Sequence, residues 1–459
     1  MKTTITAFAL LIFSSLAATA QTYTLEQLRD SALRNNMAIR SARYRIEAAR
    51  QQRKEAFTKY FPNVSGMGLW FNANRGMAKT VIDPSEVMSP ELGASLAQTL
   101  PPEALVSLST PMSMSMMKNG TMGSLVAMQP VFAGGQIANG NRLAKVGEEV
   151  SLLQMQLSEN EVEQKVEEYY WQLVSLTEKM RTIEAVDTML GSVERDVKVA
   201  VEAGVTMRND LLQVQLRRND IVGQRLKVSN GIFIVKQLLG QYAGLAQPAS
   251  DEKYAFDIVQ PDISRDEQPL SLPLEAGADV GTTPEYQLLG KQVEAADLQK
   301  QLAVGKQMPS VAVGAGYTYH NFLENDRTFG MVFATVSLPI SDWWGGSHAI
   351  RRRKIELRQA EEEQRDNAEL LRIRMLNAWN AVEEARQQLT LSREGVAQAE
   401  ENLRLYRDYY RAGTARIAEL LEAQLLYQQT LDRHTDAFAA YQLRLLEYRH
   451  AGGNVVSKH

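Results

Sequence analysis

Two short segments hold the side chains whose types and spacing bear most on chemistry. Glu202-Ala-Gly-Val-Thr-Met-Arg-Asn-Asp210 and Arg411-Ala-Gly-Thr-Ala-Arg-Ile-Ala-Glu419 each set a glycine and an acid between two helical patterns. Acids at the start of a helix accept from the free N–H groups of its first turn and favour its positive end. Glu419 and Glu422 are three positions apart, so a helix carries both on one face. Repeated around an axis, such acids would form rings that prefer cations to anions. This is electrostatic and hydrogen-bonding chemistry, with no covalent step. The chain has no cysteine, which removes thiol nucleophiles, disulfides and zinc–thiolate sites. Its five histidines, His320, His348, His434, His450 and His459, are scattered without metal-ligand spacing. No paired acid and base or activated nucleophile stands out, so an enzyme is not expected, nor any cofactor or metal.

The elements that must position these segments are mostly long helices. From Gln136 to about Val201, apolar residues recur at alternating three- and four-residue steps, as in Leu143, Val146, Val150, Leu153 and Leu157. That pattern predicts a coiled-coil helix over 136–203, roughly 100 Å long at the usual rise. A second of the same kind is predicted over 349–412. Four helices of about half that length are expected from Thr24 to about Phe57, Asp210 to Tyr242, Pro284 to Gln307 and Glu419 to His450. Gln27 is placed for a capping box with Thr24, and Pro284 suits a first helical turn. Half-length helices stacked end to end beside continuous ones would build a hollow cylinder.

Strands interrupt the helices at two places. In Pro309-Ser-Val-Ala-Val-Gly-Ala-Gly-Tyr-Thr-Tyr-His320, Val311, Val313, Ala315, Tyr317 and Tyr319 share one face, with small or polar residues on the other. Such alternation suits a barrel strand with one lipid face and one wet face. A return strand is expected over 329–339. Segments 62–74 and 122–130 form the other pair, joined by a loop from about Arg75 to Thr121 that carries five prolines. Gly314-Ala-Gly316 opens no helix, so it reads as barrel packing rather than a dinucleotide loop. Trp343-Trp344 suits a membrane–water interface.

The whole pattern occurs twice. Pro130 and Pro339 are 209 positions apart, and the same offset relates Ala203-Gly204 to Ala412-Gly413, Asp210 to Glu419, and Gln215 to Gln424. The expected organisation is therefore a first repeat over 21–242 with its tip at 204–210, an irregular belt over 243–283, a second repeat over 284–450 with its tip at 413–419, and a flexible tail over 451–459. Residues 1–20 have the layout of a secretory signal peptide: Lys2, an apolar run from Ala7 to Leu16, and Ala18-Thr19-Ala20 as cleavage site. That run is well short of the ~20 residues of a membrane-spanning helix. The net charge is −4 with dispersed basic residues, which gives no footprint for nucleic acid.

Thr24-Leu-Glu-Gln-Leu with Ala32-Leu33 and Asn35-Asn36, Pro284-Glu-Tyr leading to Met308-Pro-Ser-Val-Ala-Val, Gln129-Pro-Val-Phe-Ala-Gly-Gly135, Leu338-Pro-Ile with Gly345-Gly346, and Tyr410-Arg-Ala-Gly-Thr followed by Glu419-Leu-Leu-Glu-Ala-Gln424 occur in one order. That set, along nearly all of the chain after residue 20, resembles the TolC-like outer-membrane efflux family. Pro130, Gly134, Gly135, Pro339, Gly345 and Gly346 mark the strand-to-helix junctions. Met37 stands where the family often has proline.

Four strands have two open edges, and an open edge in hydrocarbon leaves backbone groups unsatisfied at several kcal/mol each. Protomers must therefore share a barrel, of eight strands for two chains or twelve for three. The resemblance implies three: a homotrimer in the outer membrane of a Gram-negative bacterium, mainly α, with a shared 12-stranded β-barrel in outer-membrane lipid and antiparallel coiled-coil helices forming a periplasmic tunnel. It also implies a gate contributed by the positions of Asp210, Tyr410, Glu419 and Glu422. The chain departs from the family at Ala415, where an arginine is expected; Arg416 adjoins it and Arg208 lies in the other tip. A periplasmic adaptor docking at Ala203-Gly204 and Ala412-Gly413 is implied too, joined to an inner-membrane pump of RND, ABC or MFS type. The implied function is a passive exit duct of a tripartite efflux or type I secretion system.

Two other readings use the same residues. A periplasmic adaptor or coiled-coil scaffold would explain the helices but not the strands or the duplication. Pro111-Met-Ser-Met-Ser-Met-Met117 could bind soft Cu(I) or Ag(I) through thioethers, making a channel specialised for those ions. Its period of two equally suits a strand or loop rim, and the segment 112–117 carries no assigned role.

Overall fold

Thr24 opens the first helix with both halves of a capping box: its hydroxyl accepts from the Gln27 N–H at 3.2 Å and its N–H donates to Gln27 Oε1 at 3.0 Å. Such local signals set many element ends in the computed structural model, which describes residues 21–76, 78–83, 88–99, 112–245, 254, 256–261, 263, 280–321, 326–340 and 342–452. The expected leader over 1–20, most of the belt over 243–283 and the tail beyond Gly452 lie outside the described residues.

The helices are α1 (Leu25–Asn35), α2 (Met37–Thr58), α3 (Pro90–Thr99), α4 (Gln136–Glu202), α5 (Arg208–Tyr242), α6 (Pro284–Lys306), α7 (Asp342–Arg411) and α8 (Ile417–His450). The strands are β1 (Gln21–Tyr23), β2 (Asn63–Asn72), β3 (Ala78–Ile82), β4 (Met112–Met116), β5 (Asn119–Ala133), β6 (Phe256–Ile258), β7 (Ser310–His320) and β8 (Arg327–Ser337). Helices α4 and α7 have 67 and 70 residues.

Several elements differ from expectation. The first helix is broken at Asn36, whose backbone is extended (ψ 141). The Asn36 Oδ1 accepts from the Ala38 N–H at 2.7 Å and its amide donates to the Tyr242 carbonyl at 2.8 Å, so the side chain caps α2 and ties it to the end of α5. A third strand site exists, where β1 pairs in parallel with β6. The segment expected as a loop from Arg75 to Thr121 contains the β3–β4 hairpin pair and α3. Pro130 does not end its strand, because β5 continues to Ala133. Proline is tolerated there since β5 has lost its β2 partner beyond Met128 and its register with β7 shifts between Pro130 and Phe132.

Two compact units divide the chain. One takes residues 50–146 and 294–359 and contains the antiparallel sheet β2-β5-β7-β8. Along β7, Val313, Ala315, Tyr317 and Tyr319 are exposed while Gly314 and His320 are buried. Leu125 and Tyr317, register partners across β5 and β7, are 62% and 58% exposed. Gly314 faces Phe333, whose ring occupies the space a Cβ would need. In this unit the end of α6 meets the turn into α4 at Gly134 and the first turns of α7 at Gly346.

The other unit takes residues up to 49 with 147–293 and 360–459. Its largest core joins Leu28, Ala32 and Ile39 to Val166, Leu173, Leu239, Phe256 and Phe438. A second core, of Val197, Val214, Leu403, Ile417, Leu420 and Ala423, lies between the ends of α4 and α7 and the starts of α5 and α8. It is this core that fixes the two acid-bearing turns. Among the described residues no helix is long and apolar enough to cross a membrane.

Candidate functional site

Both turns end their long helix in the same way. At the first, the Gly204 N–H donates to the Val201 carbonyl at 3.0 Å and the Val205 N–H to the Ala200 carbonyl at 2.8 Å. At the second, the Gly413 N–H donates to Tyr410 at 3.0 Å and the Thr414 N–H to Tyr409 at 2.9 Å. This is a Schellman ending, and it requires the residue with positive φ, which is 72° at both Gly204 and Gly413. Ala203 and Ala412 precede these glycines and are exposed with them.

The return helices begin two residues earlier than expected, at Arg208 and Ile417, so Asp210 and Glu419 each occupy the third helical position. The N-cap residues are Met207 and Arg416. Neither side chain can accept a hydrogen bond well, and a guanidinium cannot accept one at all. The acids compensate differently. Glu419 Oε2 accepts from the Arg416 N–H at 2.8 Å, which is half of a capping box. Asp210 instead accepts from the Thr206 hydroxyl. Glu422, exposed one turn beyond Glu419, accompanies it on the same face.

Tyr410 is half-buried beside the tip core. Burial, and after it the charges of Asp210 and Asp196, push its phenol above the ordinary value. The structure thus brings Tyr410 and Asp210, from the two different turns, into one electrostatic neighbourhood. It does not join the basic candidates to them: among the described residues, neither Arg208 nor Arg416 forms an ion pair with Asp210, Glu419 or Glu422.

Of the residues next above the tip, the sequence pattern marks Gln424 as a repeat and family position but gives no role to it, Gln428 or Arg217. Gln424 and Gln428 are 1% and 3% exposed on the inward face of α8. Arg217 of α5 donates to Gln424 Oε1 at 3.3 Å and to Gln428 Oε1 at 3.0 Å, and Gln428 donates to Gln224 Oε1 at 2.8 Å. This amide cluster joins the two return helices. Two glutamines four apart on a face otherwise carrying Leu420 and Ala423 are the signal that could have found it. On its other side, α5 is held to α4 through Arg218, at 3.2 Å from Asp187 and 2.8 Å from Glu194.

The junction residues lie in the sheet-bearing unit. Gly134 and Gly135 have φ of 58° and 77°, and lead from β5 into α4. Pro339 follows the end of β8, and Gly345 and Gly346 lie in the first turns of α7. A Cβ at Gly346 would lie 2.2 Å from Gln307 Cδ, whereas Gly345 meets nothing. Trp344 is 85% exposed. In the methionine-rich segment, Met112, Met114 and Met116 alternate along β4 and pair with Ile82, Thr80 and Ala78, while Met117 has a positive φ of 63°. Among the described residues no group of three or more histidines and acids could hold a metal ion.

Comparison with known proteins bears on this arrangement. The profile of the family "outer membrane efflux protein" matches residues 287–454. No curated protein matches the chain by sequence. Among solved structures, CusC has the same fold with a TM-score of 0.76 at 14% identity, over 96% of this chain and 96% of that one. The Campylobacter jejuni CmeC outer membrane channel gives 0.72 at 14% identity, over 95% of this chain and 87% of its own. The open state of the Neisseria gonorrhoeae MtrE outer membrane channel gives 0.71 at 14% identity, over 94% and 88%. The outer membrane efflux protein profile thus matches the second half of the chain, and the fold of these outer membrane channels extends along nearly its whole length.

Proposed function

We propose that the protein is the exit duct of a tripartite efflux or type I secretion system, a passive conduit across the outer membrane. The observation that carries this reading is the four-stranded sheet whose edge strands β2 and β8 each have one neighbour, with exposed apolar residues such as Leu125, Tyr317 and Val332. Edges of that kind in hydrocarbon demand closure by further copies. Three chains would supply a 12-stranded barrel; eight strands would enclose an interior filled by side chains. The 209-residue offset, seen again in the matching turns at Gly204 and Gly413, supports two structural repeats over 21–242 and 284–450.

In the trimer, Asp210, Tyr410, Arg416, Glu419 and Glu422 would line a gate at the periplasmic tip, with the acids as cation-selective rings. Arg416 or Arg208 would find its acidic partner across protomers, since neither forms an ion pair among the described residues. Ala203, Gly204, Ala412 and Gly413, exposed and without bulky side chains, would be the docking points for a periplasmic adaptor, itself joined to an inner-membrane pump of RND, ABC or MFS type. A partner opens such a gate only by binding the open state more tightly than the closed.

The test is planar-bilayer conductance of the detergent-extracted protein with its oligomer mass measured alongside. Small, cation-selective steps from three chains are expected, and Tyr410→Phe with Glu422→Gln should enlarge them. A water-soluble monomer that never inserts would overturn the reading.

A further inference from the structure

A cleft of 640 Å³ opens in the sheet-bearing unit between the end of α6 and the first turns of α7. Lys306, Arg352 and Arg353 line it, together with the amides of Gln136, Gln299 and Gln307. Arg353 is fixed in place, donating to Gln299 Oε1 at 2.7 Å and to Glu356 Oε2 at 2.6 Å. Arg352 lies 3.6 Å from the same carboxylate and its side chain is 66% exposed. Glu356 is thus shared by two guanidiniums. Lys306 has no carboxylate partner among the described residues, and Arg352 and Arg353 share one, which leaves the cleft lining with a surplus of positive charge. Helix-end charge explains Lys306 alone. It does not explain four consecutive cations at 351–354.

The neighbouring surface has the opposite character. Val336, Leu338, Ile340 and Trp344 are 65%, 51%, 68% and 85% exposed, immediately before the cleft in the chain. Arg352 lies eight residues beyond Trp344 on one helix, ~12 Å along its axis. An exposed indole and aliphatic band, followed within that distance by cations in a concave site, matches the order of acyl chain, interface and phosphate in a lipid leaflet. Gln307 Oε1 is buried without a hydrogen-bond partner, an acceptor available to an ammonium group. Gly346 is the residue that lets Gln307 reach this position.

We infer that the cleft binds a phospholipid of the periplasmic leaflet, its phosphate held by Lys306 and Arg352 and its acyl chains lying along Val336, Leu338, Ile340 and Trp344. The inference rests on the outer-membrane reading above and adds a ligand site to it. Arg353, Gln299 and Glu356 position the site; the cleft's two exposed cations carry the contact.

Native mass spectrometry of the full-length, delipidated protein released from maltoside micelles tests this. The probes are palmitoyl-oleoyl phosphatidylethanolamine and phosphatidylglycerol, each titrated against wild type and Lys306→Gln/Arg352→Gln. Saturable binding of up to one lipid per chain is expected, weakened about tenfold in the double variant and unaffected by excess inorganic phosphate. If the double variant does not assemble, Lys306→Gln alone should weaken binding about threefold. Equal binding by wild type and variants would overturn the site, as would no lipid bound to wild type. Displacement by inorganic phosphate would overturn the lipid assignment in favour of a simple anion site. Bilayer conductance of the same samples keeps the two readings apart: a conducting variant with lost lipid sustains both, and a protein that binds lipid but never conducts fails only as a duct.

Discussion

Gly134 and Gly305 cross so closely that a Cβ on either would lie 2.2 Å from the other's carbonyl oxygen. One belongs to the turn from β5 into α4, the other to the last turn of α6, so the contact fixes where the sheet hands over to helices in that unit. The obstacle is backbone, which cannot swing aside as a side chain can. Gly305→Ala should therefore cost about 1–3 kcal/mol, the range typical of core overpacking. Gly345→Ala is the control. It is helical and open to space, and should be neutral or stabilising by about 0.5–1 kcal/mol. Heat-induced unfolding in detergent measures both, and equal midpoints for the two variants would refute the argument.

Local residues announce much of this fold and little of its long-range detail. The heptad steps from Leu143 to Leu157 and the alternation from Val311 to Tyr319 depend on near neighbours, so helix and strand type could be read directly. The helix starts at Arg208 and Ile417 could not, because Met207 and Arg416 lack capping side chains and the acids three positions later draw the eye. The β1–β6 pair is three residues on each side and joins distant segments, leaving no periodicity to detect. Gly305 carries no signal of its own, since the need for glycine comes from Gly134. At the tips, the glycines and acids were legible as chain-reversal chemistry, while Arg217 became visible only when α5 and α8 were seen side by side.

That Arg217 cluster gives a second prediction. Arg217→Met removes the donor shared by Gln424 and Gln428; Gln428 Oε1 keeps the Gln424 amide at 3.4 Å, but the buried Gln424 Oε1 is left unsatisfied at a cost of about 1–3 kcal/mol. The two return helices should separate more readily, and amide exchange should quicken over 205–230 and 415–430. Arg217→Lys should behave nearly as badly, because an ammonium cannot span two amides as a planar fork does. Exchange unchanged in both variants would reduce the cluster to surface decoration.

Glu419 separates capping from gating. Glu419→Gln keeps a carbonyl oxygen for the Arg416 N–H, now accepted at 2.8 Å, and removes only the charge. Glu419→Ala removes both, with a loss of about 0.3–1.5 kcal/mol from the missing cap. A residue that only caps predicts normal conductance for the glutamine variant and instability for the alanine one. A gate residue predicts altered cation preference in both. Single-channel recordings paired with thermal unfolding distinguish these patterns.

The end of α8 predicts a dependence on pH. His450 Nε2 lies 3.1 Å from Glu163 Oε2, and burial, followed by the Arg449 guanidinium, holds the imidazole below its ordinary value despite the opposing charge of Glu167. The unfolded chain therefore binds this proton more readily than the folded one. Stability should fall as pH drops through about 6.5 and level off once the folded imidazole is also protonated. Glu167, 2% exposed and raised by burial against the pull of Arg29, works with the opposite sign. Its folded form takes up a proton before the unfolded one, so it gains stability in the more acidic carboxylate range. His450→Gln should flatten the slope between about pH 7 and 6 and leave the Glu167 contribution in place. Unfolding midpoints of the detergent-solubilised protein across that interval decide it: parallel curves for wild type and variant would show that His450 is not the titrating group.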